Sequence, residues 1–152
     1  MVDRDTLVRI LELGRWAPSG DNTQPWRFEI AEDGLIRIHG FDTRDEVVYD
    51  FAGHASHIAH GALLETLRIA ASAHGCDASW VLRPDGDDRQ PVYELHVRRA
   101  EGLVVDPLFP FIEQRVVQRR PMRTTPLTAE QRRALAASVG DGYELRLFET
   151  FS

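Results

Sequence analysis

A chain of 152 residues, 43% hydrophobic and 28% charged, has the composition of one soluble globular domain, long enough to bury roughly 70% of its unfolded surface. A formal net charge of -6 and an isoelectric point near 5.5 argue against nucleic acid as a partner. No run approaches the roughly 20 apolar residues that span a bilayer, which argues against a membrane. The charged start, Met1-Val2-Asp3-Arg4-Asp5, is unlike a signal peptide, and the single Cys76 suits a reducing cytoplasm, where the protein is expected.

Taken in chain order, Asp3 can cap a first helix running to about Trp16, with Leu7, Ile10, Leu11 and Trp16 on helical spacing. The turn formers Pro18-Ser19-Gly20-Asp21-Asn22 stop it. Trp26 to Ile30 and Leu35 to His39 alternate apolar and polar around Asp33-Gly34, which predicts a β-hairpin. A second helix is expected from about Ser56 to His74, with Ala59, Ala62, Leu63, Leu67 and Ala70 on one face and Gly75 as its stop. Its alanines and Gly61 would permit close approach by another element.

Ser79 to Arg83 and Val92 to Arg98 predict a further strand pair about the turn-rich segment Pro84 to Asp88. Leu108 to about Arg120 reads as a third helix. Thr128 and Gln131 have the spacing of a capping box opening a fourth helix, which ends near Gly140. Tyr143 to Phe148 alternates as a strand. The mixture is α+β, with helices packed on a mostly antiparallel sheet. Residues 100–107 are the best candidate hinge.

Two stretches carry candidate chemistry. Ala17-Pro18-Ser19-Gly20-Asp21-Asn22-Thr23-Gln24-Pro25-Trp26 is a loop of short hydroxyl, amide and carboxylate side chains stiffened by two prolines. The residues alone allow either a ligand-lining loop or an ordinary capped connection with a core tryptophan. Farther on, Arg115, Arg119, Arg120 and Arg123 stand against one acid, Glu113, a basic island suited to a small anion. Arg115 and Arg119 would share a helix face, and paired guanidiniums fork onto phosphate oxygens. A solvated arginine face is the alternative.

Both stretches resemble the signatures of the nitroreductase family of FMN-dependent oxidoreductases. A Pro-Ser step, an Asn and a Gln-Pro-Trp follow the first helix. A pair of arginines four apart then precedes an apolar-Pro stretch. The resemblance implies a nitroreductase-like α+β fold, incomplete in this chain. It implies that Ser19 and Asn22 hydrogen-bond the flavin ring and ribityl chain while Pro18 packs beside the ring. Gln24-Pro25-Trp26 would be structural. Arg115 and Arg119, then Arg120, would grip the FMN phosphate and ribityl hydroxyls, with Arg123 the weakest match. A small polar residue is common where Val117 stands, so one expected hydrogen bond is missing.

The family's usual order places the arginines before the Pro-Ser loop; here they follow it. That order resembles a divergent branch with two nitroreductase-like halves in one chain. Residues 1–105 would form the first half and 106–152 the start of a second, leaving the chain a fragment or one completed by a partner. The implied activity is ping-pong hydride transfer, with NAD(P)H as reductant and a nitroaromatic or quinone-like small molecule as electron acceptor. No side chain would serve as nucleophile or general acid. The implied assembly is a homodimer or a complementary second half. Two alternatives stay open: an FMN-sequestering protein without turnover, and a flavin-free half-domain acting as an interaction module.

His54, His57 and His60 recur every third residue but straddle a helix start with no acid or cysteine completing a set, so no metal is expected. Cys76 has no cationic neighbour in sequence and reads as inert. Nothing matches a phosphate-loop, dinucleotide or Gly-x-Ser-x-Gly pattern.

Overall fold

The alternating segments between Trp26 and Arg99 pair into one antiparallel sheet of order β1-β2-β4-β3. Its strands are β1 (Trp26–Ile30), β2 (Ile36–Gly40), β3 (Cys76–Leu82) and β4 (Val92–Arg99). The computed structural model describes residues 1–121 and 123–148, so Met122 of the arginine run lies outside the described residues. The β1–β2 hairpin forms where the sequence predicts it. Gly34 takes φ 81°, its N–H reaching Ala31 O at 3.0 Å, while the Asp33 carboxylate accepts from Leu35 N–H at 3.0 Å. β3 starts at Cys76, ahead of the expected Ser79, because Cys76, Asp77 and Ala78 find partners in Arg99, Arg98 and Val97.

The helices are α1 (Arg4–Leu13), capped by the Asp3 carboxylate and continued by a 3-10 turn over Gly14–Trp16, and α2 (His54–Ser72). Both pack their apolar stripes onto the sheet. Ile10 of α1, Leu63 and Leu67 of α2, and Ile36, Ile38 and Leu95 of the sheet are fully buried. Each contributes about 1.5–3 kcal/mol by leaving water. Two expectations about this face need correction. Trp16 leaves the buried stripe and is 42% exposed, because the tighter 3-10 turn rotates it away from the core. Gly61 meets nothing within 4 Å, and the close approach falls instead at Gly14, where a Cβ would lie 3.0 Å from Leu63 Cδ1.

The chain divides into two compact units, Met1–Arg115 and Val116–Ser152. The expected helix from Leu108 to Arg120 does not form. A 3-10 turn spans Phe109–Phe111, and no helix continues beyond it. Residues 113–120 are exposed on every side, so no apolar face stabilises a helix there. Two consecutive valines lower helix propensity, and Pro121 pushes Arg120 out of the α region. In the second unit α3 (Ala129–Ala137) opens at Thr128 with both hydrogen bonds of the capping box present. Tyr143 to Phe148 is not a strand, since alternation without a neighbouring strand leaves the backbone groups unpaired. Among the described residues no helix is long and apolar enough to cross a membrane.

Candidate functional site

The loop after α1 is built from an unusual backbone. Ser19 is extended, and a 3-10 turn then spans Gly20–Asn22, with Asp21 at φ 48° and Asn22 at φ 58°. Gln24 follows at φ 48°. Left-handed backbone costs a residue with a Cβ about 1–2 kcal/mol, less for Asp and Asn, so contacts must hold this shape. The Ser19 hydroxyl accepts from Gln24 N–H at 3.0 Å, which leaves its own proton to donate elsewhere. Tyr49 donates its hydroxyl to Asp21 Oδ2 at 2.8 Å, and its ring lies over Gly20, where a Cβ would come within 2.8 Å of it. Pro25 and Trp26 are buried at the loop's exit, where Pro25 O accepts from His60 Nε2 at 2.7 Å.

A second segment of the same unit returns to this loop. Ser72 Oγ accepts from Asp106 N–H at 2.9 Å, and Arg68 pairs with the Asp106 carboxylate at 2.8 Å. Burial raises the Asp106 pKa, but Leu108 N–H and Arg68 outweigh it and hold the carboxyl below its usual range. Ile112 inserts into the core and Phe109 packs against it. Arg115 then donates through Nη2 to Trp16 O at 3.0 Å. Between the two segments lies a groove of about 360 Å³, walled by Trp16, Pro18, Ile69, Leu108, Phe111 and Ile112, with Arg115 and Glu65 also lining it. That volume is within the small-molecule range, and an apolar wall with few polar groups is the usual make-up of such sites.

Behind the loop, two buried polar groups fix the framework. Asp50 is 2% exposed and receives Thr43 N–H and hydroxyl, Ala55 N–H, and Ser56 N–H and hydroxyl, at 2.7–3.2 Å. Burial works against its charge, but the bonds from Ser56 and Thr43 prevail and hold its pKa well below the carboxylate range. Asp50 thereby caps α2 from outside the helix, since Gly53 offers no side chain. His60 is 1% exposed; with Nε2 donating to Pro25 O, Nδ1 faces the Tyr93 hydroxyl at 3.4 Å. Burial lowers its pKa, so the ring is neutral. His57 Nε2 instead faces Asp88 O at 2.9 Å.

Of the sequence candidates, Pro18, Ser19, Asn22 and Arg115 lie in the N-terminal unit, and Pro18 and Arg115 line the same groove. Arg119 and Arg120 belong to the second unit and sit outside any helix, so Arg115 and Arg119 do not share a helix face. Arg120 N–H caps onto Gln118 Oε1 at 3.0 Å. Tyr49 and Asp50 hold the loop and α2, yet they carry no sequence signal, because their partners depend on the folded chain.

A comparison with protein families matches residues 1–52 to the Nitroreductase family. A Mycobacterium tuberculosis protein named as an NAD(P)H nitroreductase, acg, is 36% identical over 90 residues, which are 58% of this chain and 26% of that protein. The crystal structure of a nitroreductase family protein from Clostridium novyi NT shares the fold. It aligns at TM-score 0.50 and 15% identity over 67% of this chain and 76% of its own. A nitroreductase from Desulfovibrio desulfuricans, solved in complex with FMN, aligns at TM-score 0.49 and 20% identity over 79% of this chain and 87% of its own. The chain spans about a quarter of the length of the curated relative it matches. Residues 1–52, which carry α1, the loop after it and the β1–β2 hairpin, are thus similar to the nitroreductase family, and the α+β fold of the chain is of nitroreductase type.

Proposed function

We propose that the chain is the N-terminal part of an FMN-dependent NAD(P)H oxidoreductase that reduces nitroaromatic or quinone-like acceptors. The observation that carries this reading is the meeting of Pro18, at the start of the polar loop, with Arg115 at one apolar groove, where Arg115 Nη2 holds Trp16 O. These residues fit a planar ring bearing an anionic group. Trp16, Pro18 and Phe111 offer flat apolar walls and Arg115 a guanidinium, and Ser19 follows Pro18 directly with its hydroxyl proton left to donate. Pro18, Ser19 and Asn22 would hold the ring side of FMN and Arg115 its phosphate, while Arg119 and Arg120 are candidates for that phosphate by the resemblance alone.

When bound, FMN would supply the hydride chemistry between NAD(P)H and the acceptor. The chain's own part is to bind, orient and exclude water. A second copy or a complementary half completes the site, and the exposed apolar side chains Val48, Phe51 and Ile58 support such a partner. The buried Cys76 thiol, its pKa raised by burial, suits a cytoplasmic setting.

The test is an absorbance titration of the purified chain with FMN, followed by anaerobic NADPH. Uptake with bleaching of the flavin band supports an oxidoreductase. Uptake without bleaching indicates sequestration, and no uptake removes the flavin reading. Replacing Arg115 and Arg119 together with Met should abolish uptake; unchanged affinity would remove the phosphate assignment.

A further inference from the structure

We infer that Tyr49 is a positioning residue for the ligand loop, its hydroxyl clamping Asp21 so that Ser19 and Asn22 face the bound cofactor; the inference rests on the flavin reading above. Tyr49 lies 28 residues downstream of Asp21 and forms no part of the resemblance that singles out the loop. Its backbone is fixed by the next residue, Asp50, which is buried under five hydrogen bonds from Thr43, Ala55 and Ser56. From that anchor the ring reaches back over Gly20, and the hydroxyl meets Asp21 Oδ2 at 2.8 Å.

The fit is mutual. A Cβ at residue 20 would lie 2.8 Å from Tyr49 Cε2 and 2.9 Å from its oxygen, so only glycine admits the ring here. Asp21 and Asn22 are both left-handed, a conformation that a free loop populates sparsely and that an outside contact must select. Hydrogen bonding to the Asp21 carboxylate raises the Tyr49 pKa above the ordinary phenol value, so the hydroxyl stays a donor at neutral pH. Through Asp50 the clamp also couples the loop to the start of α2. A loop held beforehand in its binding shape loses less entropy when ligand arrives.

The test is FMN affinity of the full chain, read by flavin fluorescence in wild type, Tyr49→Phe, Asp21→Asn, Asp21→Gly and the Tyr49→Phe/Asp21→Gly double variant. Tyr49→Phe keeps the ring and removes one exposed oxygen, so the fold stays intact. Its affinity should fall about tenfold, as expected for loss of one charge-assisted hydrogen bond. Asp21→Gly breaks the same bond from the other side and should fall about as far, with the double variant no worse than either single. Asp21→Asn keeps an acceptor oxygen and should stay within about threefold of wild type. The visible band of saturating bound flavin should also differ between wild type and Tyr49→Phe. Wild-type protein that takes up no FMN overturns the flavin reading beneath the inference. Wild-type protein that binds FMN no more tightly than Tyr49→Phe overturns the inference alone, as does a double variant whose losses add.

Discussion

The two units are ordered by different physics. In Met1–Arg115 side chains far apart in sequence meet in a common core: Ile10, Ile36, Leu63 and Leu95 are fully buried together. Between Val116 and Phe148 no described residue is buried, and Val116, Tyr143 and Phe148 are each more than 80% exposed. What order that stretch has comes from neighbours in sequence, such as the capping box at Thr128 and the Glu144–Arg146 pair. Hydrophobic burial supplies most of the stability of a fold, whereas a local cap is worth about 1 kcal/mol. The first unit should therefore be a cooperative structure, and helix α3 a marginal one.

The largest expected effect follows from Asp50. Replacing it with Ala strips five hydrogen bonds and leaves the buried Ser56 and Thr43 hydroxyls without their acceptor. The N-terminal unit should lose about 3–5 kcal/mol. All three tryptophans, Trp16, Trp26 and Trp80, lie in that unit, so the urea midpoint by tryptophan fluorescence reads it directly. A shift below about 1 kcal/mol would show that the network is dispensable. The same residue predicts a pH dependence. Its folded pKa lies below the unfolded value of 3.8, so its stabilisation is complete above that value and is lost as pH falls toward the folded one. Wild type should weaken steeply below about pH 4, and the Ala variant less so.

A smaller effect is expected where β2 meets α2. At Gly40 a Cβ would stand 2.7 Å from His60 Cε1, and that ring is held by Pro25 O on one nitrogen and faces Tyr93 with the other. Gly40→Ala must displace a buried, hydrogen-bonded ring, at a cost of about 1–3 kcal/mol by the same fluorescence measure. If the variant is as stable as wild type, the contact between sheet and helix is looser than the rigid core of this unit implies.

What was legible in the sequence follows the same division between local and distant causes. Asp33-Gly34, Asp3 and the Thr128–Gln131 spacing act on adjacent backbone, and the hairpin, α1 and α3 all begin where those residues direct. The helix expected over Leu108 to Arg120 failed because periodicity becomes structure only when the apolar face finds a surface, and beyond Ile112 there is none. Tyr143 to Phe148 failed likewise, its alternation lacking a partner strand. At the candidate site, Pro18 and Ser19 could be singled out from their own neighbourhood. Tyr49 and Asp50 could not, since their meaning depends on Asp21 and Ser56 arriving beside them in the fold.

The smallest effect sharpens the contrast from the other side. In Thr128→Ala the N-cap loses the hydroxyl that accepts Gln131 N–H at 3.1 Å, though Gln131 can still reach back to residue 128. The cost is about 1 kcal/mol, small for a packed helix. For α3 it should be decisive, because the helix has nine residues and buries none of them, and isolated helices that short are marginal in water. Amide exchange across Ala129–Ala137 should approach the unprotected rate in the variant while the tryptophan-monitored midpoint stays within about 0.5 kcal/mol of wild type. Protection that survives the substitution would mean that α3 draws on packing rather than on its cap. The division into a tertiary unit and a locally ordered one would then have to be redrawn.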